Sequence, residues 1–194
     1  MARLGLYLFI LKLVILTAEA GTGMRSNPIE FIKSSCRATR YPVLCAESLS
    51  GYARVIGRSD RQLAITALSV SISRTRSCAA FVKKMAKVRG IKSREYNAVQ
   101  DCIENMGDSV DRLSESVKEL GRTGRAVGED FVWHMSNVQT WVSAALTDQT
   151  TCLDGFATPR MDGYVKASIR RRVLGVSQLT SNALALVNRF ASRH

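Results

Sequence analysis

Between positions 93 and 120 the apolar side chains Val99, Ile103, Met106, Val110, Leu113, Val117 and Leu120 recur in alternating steps of four and three. That spacing draws one stripe down one side of an α-helix, whereas a strand keeps a face only by repeating every second residue. A long helix with a single apolar side must bury it against other helices. Ser93 is the expected N-cap, and Gly121 and Gly124 supply the stop. Steps of three and four return over about 160 to 191 in Ile169, Val173, Val176, Leu179, Ala183, Leu186 and Phe190, with Arg170, Arg171 and Arg172 mostly turned to solvent. Residues 59 to 88 carry a wider apolar face with Leu63, Ala67, Leu68, Val70, Ile72, Phe81, Met85 and Val88, suited to contact with two neighbours. Residues 129 to 149 carry Phe131, Met135, Val138, Val142 and Ala145, widened by Trp141 and Leu146. Only three prolines occur, none within 59 to 120 or 160 to 194. Long helices joined by short loops pack most readily as an all-α, antiparallel up-down-up-down four-helix bundle, each helix roughly 30–45 Å long.

The N-terminus reads differently. Residues 4 to 18 form an apolar run broken only by Lys12, with Arg3 before it and Ala18-Glu19-Ala20 after it, the small residues that a signal peptidase requires. Residues 1–20 are therefore expected to be a cleaved signal peptide, because the run is shorter than the roughly 20 apolar residues that span a bilayer. Cleavage removes Arg3, Lys12 and Glu19 and lowers the formal net charge from +12 to +11. A strongly basic secreted chain suits an extracellular polyanion or an acidic partner, not nucleic acid, and the aromatic-flanked basic motifs of RNA-binding modules are missing. Lys166 with Arg170, Arg171 and Arg172 is the best candidate for a basic patch. Residues 21–58 are expected to form an N-terminal segment and 59–194 the bundle, the whole making one domain over 27–191. No Asn-x-Ser/Thr sequon is present.

The usual signals of catalysis are missing: no Gly-x-Ser-x-Gly, no His-Glu-x-x-His, no glycine-rich phosphate loop. His134 has no partner motif, and Asp101 with Glu104, or Asp108 with Asp111, reads as a solvated acidic face. No catalytic residue and no cofactor is expected. With no Cys-x-x-Cys and only His134 and His194, no metal site is expected either. Five cysteines in an oxidising compartment leave at least one unpaired within the chain, and spacing alone does not assign the bonds. A turn at Tyr41-Pro42 would bring Cys36 beside Cys45. Cys78 then reads as a buried free thiol within a long helix.

Several of these residues fall into a family pattern. Cys36 and Cys45 flank Tyr41-Pro42, Cys102 lies in an acidic helical segment, and Thr150-Thr151-Cys152-Leu153-Asp154-Gly155-Phe156 follows an apolar helix. With Leu179-Thr180-Ser181-Asn182-Ala183-Leu184-Ala185-Leu186 near the C-terminus, the chain resembles the plant invertase and pectin methylesterase inhibitor family. The resemblance implies an N-terminal helical hairpin over residues 27 to 58 and a disulfide from Cys102 to Cys152. It implies an extracellular, cell-wall inhibitor of pectin methylesterase, or alternatively of acid invertase, that masks its enzyme without covalent chemistry. Thr151 then matches a position in contact with the esterase, and Asp154 a neighbouring one. Asn182 is expected to be a buried polar tie. Invertase inhibitors of this family carry Pro-Lys-Phe before the last helix, where this chain has Thr158-Pro159-Arg160-Met161; the esterase is thus the expected partner, and de-esterified pectin the expected polyanion for the positive charge.

Overall fold

A computed structural model describes residues 27–193; the signal-peptide reading of 1–20 lies outside the described residues. The chain opens with two short helices, α1 (Pro28–Cys36) and α2 (Pro42–Ser50). Each starts on a proline, whose fixed φ and missing N–H suit a first helical turn. Asn27 caps α1 by accepting the Ile29 N–H at 3.1 Å. Cys36 is bonded to Cys45 across the hairpin, with Cα atoms 5.6 Å apart. The second helix of the expected hairpin stops at Ser50, and a separate short helix follows it. The Tyr52 N–H bonds back to the Leu49 carbonyl at 2.9 Å, closing a tight turn, and a one-turn helix α3 (Ala53–Ile56) follows. The break lets Leu49 and Ile56 both reach the core. Gly57, at φ +56°, then turns the chain through a left-handed conformation that favours glycine.

Four long helices follow: α4 (Asp60–Met85), α5 (Ser93–Arg122), α6 (Gly128–Asp154) and α7 (Tyr164–Ala191). Each packs on two others in the cyclic order α4, α5, α6, α7, which is the up-down-up-down bundle. Several helix ends differ from expectation, for local reasons. Ser93 is the first helical residue and not the cap; the extended residue Lys92 precedes it, and its N–H is accepted by the Glu95 carboxylate at 3.2 Å. Gly121 lies inside α5, which runs on to Arg122. Thr150 and Thr151 lie inside α6, which runs on to Asp154, and their hydroxyls bond to carbonyls four residues back. Pro159 opens a 3₁₀ turn, Pro159–Met161, so α7 starts only at Tyr164.

The helix ends are tied by charge. The Arg61 guanidinium, in the first turn of α4, donates to the carbonyls of Leu120 at 3.3 Å and Gly121 at 2.7 Å, which α5 leaves unpaired at its C-terminus. Asp60 accepts Arg189 at 2.9 Å and also Arg193, joining the start of α4 to the end of α7. The hairpin packs on one end of the bundle, where Ile32, Leu49 and Ile56 share a core with Leu68, Leu113, Val142 and Leu186. Asn182 fastens it: the side-chain oxygen accepts the Tyr41 N–H at 3.0 Å, and the amide donates to the Tyr41 carbonyl at 2.9 Å. It is a polar tie, as expected, but to the hairpin turn and not between two bundle helices.

A second apolar core fills the other end, around Val82, Val99, Met106, Ile169 and Val173. Between the two cores every bundle helix places a buried polar residue: Thr75, Ser109, Gln149 and Thr180. The Gln149 amide donates to Ser109 Oγ at 2.8 Å and Thr180 Oγ1 at 3.1 Å, while Ser109 donates to the Ala145 carbonyl at 3.2 Å. Thr75 bonds within α4 to the Ser71 carbonyl at 2.7 Å. The bonds from Gln149 to α5 and α7 hold only when the three helices are in register, since a slip would leave buried polar atoms unpaired.

Candidate functional site

The outward side of α6 is organised by the same rule as its core side. Trp133, Ser136, Thr140, Ser143, Thr147, Thr150 and Asp154 follow one another in steps of three and four, and all are exposed. Five of these seven residues bear a small hydroxyl side chain. Thr147 and Thr150 donate to the carbonyls of Ser143 and Leu146, at 3.2 and 2.9 Å, and Thr151 beside them donates to Thr147 at 3.0 Å. These three threonine hydrogens are thus used within the helix, and their oxygens still have acceptor capacity toward an incoming N–H or O–H. Short side chains also let a second surface approach closely. Helix α6 carries no lysine or arginine, and Glu129, Asp130, Asp148 and Asp154 give it an acidic character.

Thr151 and Asp154, the two contact positions expected from the resemblance, stand exposed at the C-terminal end of this face. Directly beneath, Cys152 is bonded to Cys102, with Cα atoms 4.3 Å apart, so the last turn of α6 is fixed to α5. At the other end Trp133 is 60 % exposed, next to Val132 and Val127, on the rim of an open hollow of about 920 Å³ that also reaches Phe131 and Ala191. A rigid exposed aromatic of this kind is a typical anchor in protein interfaces.

His134 has a partner that its sequence neighbourhood did not reveal. Its Nδ1 lies 2.7 Å from the carboxylate of Glu119, which is only 1 % exposed and also accepts Asn137 at 3.2 Å and Arg122 at 2.6 Å. Burial pushes the Glu119 carboxyl up, but hydrogen bonds from His134, Asn137 and Arg122, with the Arg122 charge, outweigh it and hold the group below the ordinary glutamate value. The cluster ties α5 to α6. Farther along the same pair, Asp148 meets Arg112 at 2.8 Å. Here burial prevails over the Arg112 charge, with help from nearby Asp108, and the carboxyl is raised.

Cys78 is buried, and burial pushes its thiol up to about 11 against the opposing charge of Arg172, which makes it a poor nucleophile. The basic patch needs correction. Lys166 is ion-paired with Asp162 at 2.7 Å. Arg170, Arg171 and Arg172 are all exposed but do not form one patch with Lys166, because consecutive helical residues turn by about 100°: Arg171 and Arg172 edge a groove toward α4, and Arg170 is not on its lining. Arg172 lies over the Phe81 ring at 4.0 Å, toward α4. Positive charge is segregated by helix instead. Helices α4 and α7 together carry Arg61, Arg74, Arg76, Lys83, Lys84, Lys166, Arg170, Arg171, Arg172 and Arg189 against Asp60 alone. Helices α5 and α6 carry eleven acidic side chains against Arg94, Arg112, Lys118 and Arg122. The bundle is therefore basic along one pair of helices and acidic along the other. Among the described residues no cluster of His, Cys, Asp and Glu is arranged to hold a metal ion, and no helix is long and apolar enough to cross a membrane.

Neither the hydroxyl face of α6 nor the charge segregation was read from the sequence, although each was legible once the outward positions of each helix were sorted as the inward ones had been. Comparison with known proteins agrees with this architecture. A model of the plant invertase/pectin methylesterase inhibitor family matches residues 30–186. Pectinesterase inhibitor 9 of Arabidopsis thaliana is 54% identical over 95% of this chain and 92% of its own length. A 21 kDa protein of Daucus carota is 50% identical over 96% of this chain and 94% of its own. In three dimensions the fold is that of a crystallised pectin methylesterase inhibitor from Arabidopsis, with a TM-score of 0.64 at 20% identity over 81% of this chain and 95% of that one. The all-helical bundle and the full-length match to these relatives lead to one assignment: the chain belongs to the plant invertase/pectin methylesterase inhibitor family.

Proposed function

We propose that this protein is a secreted inhibitor of pectin methylesterase that acts in the plant cell wall, laying the outer face of α6 over the enzyme's active-site cleft. The observation that carries the reading is the 54% identity, over nearly the whole chain, to a protein named a pectinesterase inhibitor. The α6 face supplies a physical means. It is rigid, because Cys102–Cys152 at one end and the Glu119 cluster at the other hold α6 to α5. It is rich in acceptors, because the hydroxyls of Thr147, Thr150 and Thr151 have already given their hydrogens to the helix. Trp133 is the anchor at the far end, and Thr151 and Asp154 are the contacts near the disulfide. Inhibition of this kind is reversible masking and needs no nucleophile, metal or cofactor from the inhibitor. The turn before α7 reads Thr158-Pro159-Arg160-Met161 without Pro-Lys-Phe, which favours the esterase over the invertase.

The test is a parallel titration of the oxidised mature protein against a plant pectin methylesterase and an acid invertase. Stoichiometric, reversible loss of esterase activity with the invertase unaffected is expected. Loss of invertase activity with an untouched esterase would reverse the assignment.

A further inference from the structure

A groove of about 450 Å³ runs between the hairpin helix α2, α4 and α7, on the basic side of the bundle and away from the α6 face. Clefts that bind small ligands are commonly about 300–1,000 Å³. Its rim carries three guanidinium groups, Arg74 from α4 with Arg171 and Arg172 from α7, and the Gln178 amide. None of the three arginines is ion-paired among the described residues, and Glu47 is the one carboxylate on the lining. Arg172 is steadied by the Phe81 ring beneath it. Gly175 leaves the groove open, because a Cβ placed there would meet nothing within 4 Å. Three guanidinium groups without an ion pair, from two helices, beside the apolar Leu44, Val176 and Leu179 and the Gln178 amide, match a chain of carboxylate-bearing sugars: carboxylates for the arginines, hydroxyls for the amide, sugar faces for the apolar side chains.

We propose that this groove binds a segment of uronic-acid polysaccharide and, resting on the function proposed above, that its ligand is de-esterified pectin, the product of the target enzyme. A methyl ester carries no charge for Arg74, Arg171 and Arg172 to pair with, so the groove distinguishes product from substrate. The inhibitor is then retained where the esterase has already worked. The α6 face remains free to meet the enzyme.

Binding is measured by calorimetry on the oxidised mature protein alone, without enzyme, using a de-esterified galacturonate oligomer, its methyl-esterified form and poly-glutamate of equal charge. The de-esterified oligomer is expected to bind, and the other two at least about tenfold more weakly, the discrimination of one good bidentate contact. Two variants follow. R74Q combined with R171Q removes charge, and G175L fills the groove while leaving net charge unchanged; each is expected to weaken the oligomer by about tenfold or more, with helical content and esterase inhibition retained. Wild-type protein that fails to bind the oligomer, binds poly-glutamate equally well, or binds the oligomer undiminished as folded G175L, would overturn the groove and leave only diffuse electrostatics. Esterase inhibition is scored separately, so failure of the groove and failure of the inhibitor assignment are distinguishable.

Discussion

At the scale of a residue, Thr151 is where the helix geometry and the proposed esterase contact coincide. It donates to the Thr147 carbonyl at 3.0 Å and still presents an acceptor at an exposed position. T151A removes both, yet the free protein loses little, because the Thr147 carbonyl keeps its place in the helix ladder and water replaces the outward contact. Esterase affinity is therefore expected to fall by about 1–3 kcal/mol while thermal stability changes little, because a donor on the enzyme is left buried without a partner. An unchanged inhibition constant in the folded variant would confine Thr151 to its helical role. Asn182 is the contrasting case. It stands 141 positions from Tyr41 and makes two hydrogen bonds to that residue's backbone, so nothing local in the sequence reveals which turn it holds.

At the scale of an element, α5 and α6 are joined by apolar stripes and by two charged ties of opposite pH behaviour. Glu119 is held below the ordinary value of 4.5 in the fold. Its stabilising effect is present above the unfolded-state pKa and is lost as pH falls through the lower folded-state value. Asp148 is raised instead, so its protonation favours the fold as pH falls and partly offsets the loss. E119Q is expected to lower stability at neutral pH by about 1–3 kcal/mol, since the amide cannot accept from His134, Asn137 and Arg122 as a carboxylate does. It should also flatten the acid limb of a denaturation series below pH 4.5. An acid limb in E119Q as steep as that of wild type would assign acid sensitivity to other groups. The Gln149 layer is the other inter-helix device: its amide reaches Ser109 on α5 and Thr180 on α7, fixing three helices in register between two apolar cores.

Across the whole molecule the two disulfides divide the work. Cys36–Cys45 closes the hairpin, and Cys102–Cys152 closes a separation of 50 residues at the end of α6. In the chain-entropy model these closures contribute roughly 3 and roughly 4 kcal/mol by restricting the unfolded chain. Non-reducing peptide mapping is expected to recover those two pairs, with Cys78 alkylated only after unfolding, because that thiol is buried and its pKa is pushed up to about 11. C102S should lower the melting temperature markedly, whereas a Cys78 peptide recovered in a disulfide would overturn the pairing. The sequence by itself determined the long helices and the bundle, and the centre of the buried sides of α5 and α7, while Ile103, Val110, Val117 and Leu179 of the apolar stripes lie at the half-buried edge. Sorting by type alone did not reveal that Ser109, Ser116 and Glu119 are buried on the same side of α5 as Leu113: Ser116 is satisfied by the Leu113 carbonyl of its own helix, but Ser109 and Glu119 find partners only where α6 packs. The basic run at Arg170, Arg171 and Arg172 was legible as composition, but its use was decided by packing: α7 rotates Arg172 onto Phe81 and sets it with Arg171 opposite Arg74 of α4. Periodicity along one chain records which side of a helix is buried. Which charges and hydroxyls meet depends on the angle and register at which two helices pack, and those are set only when all four close around the core.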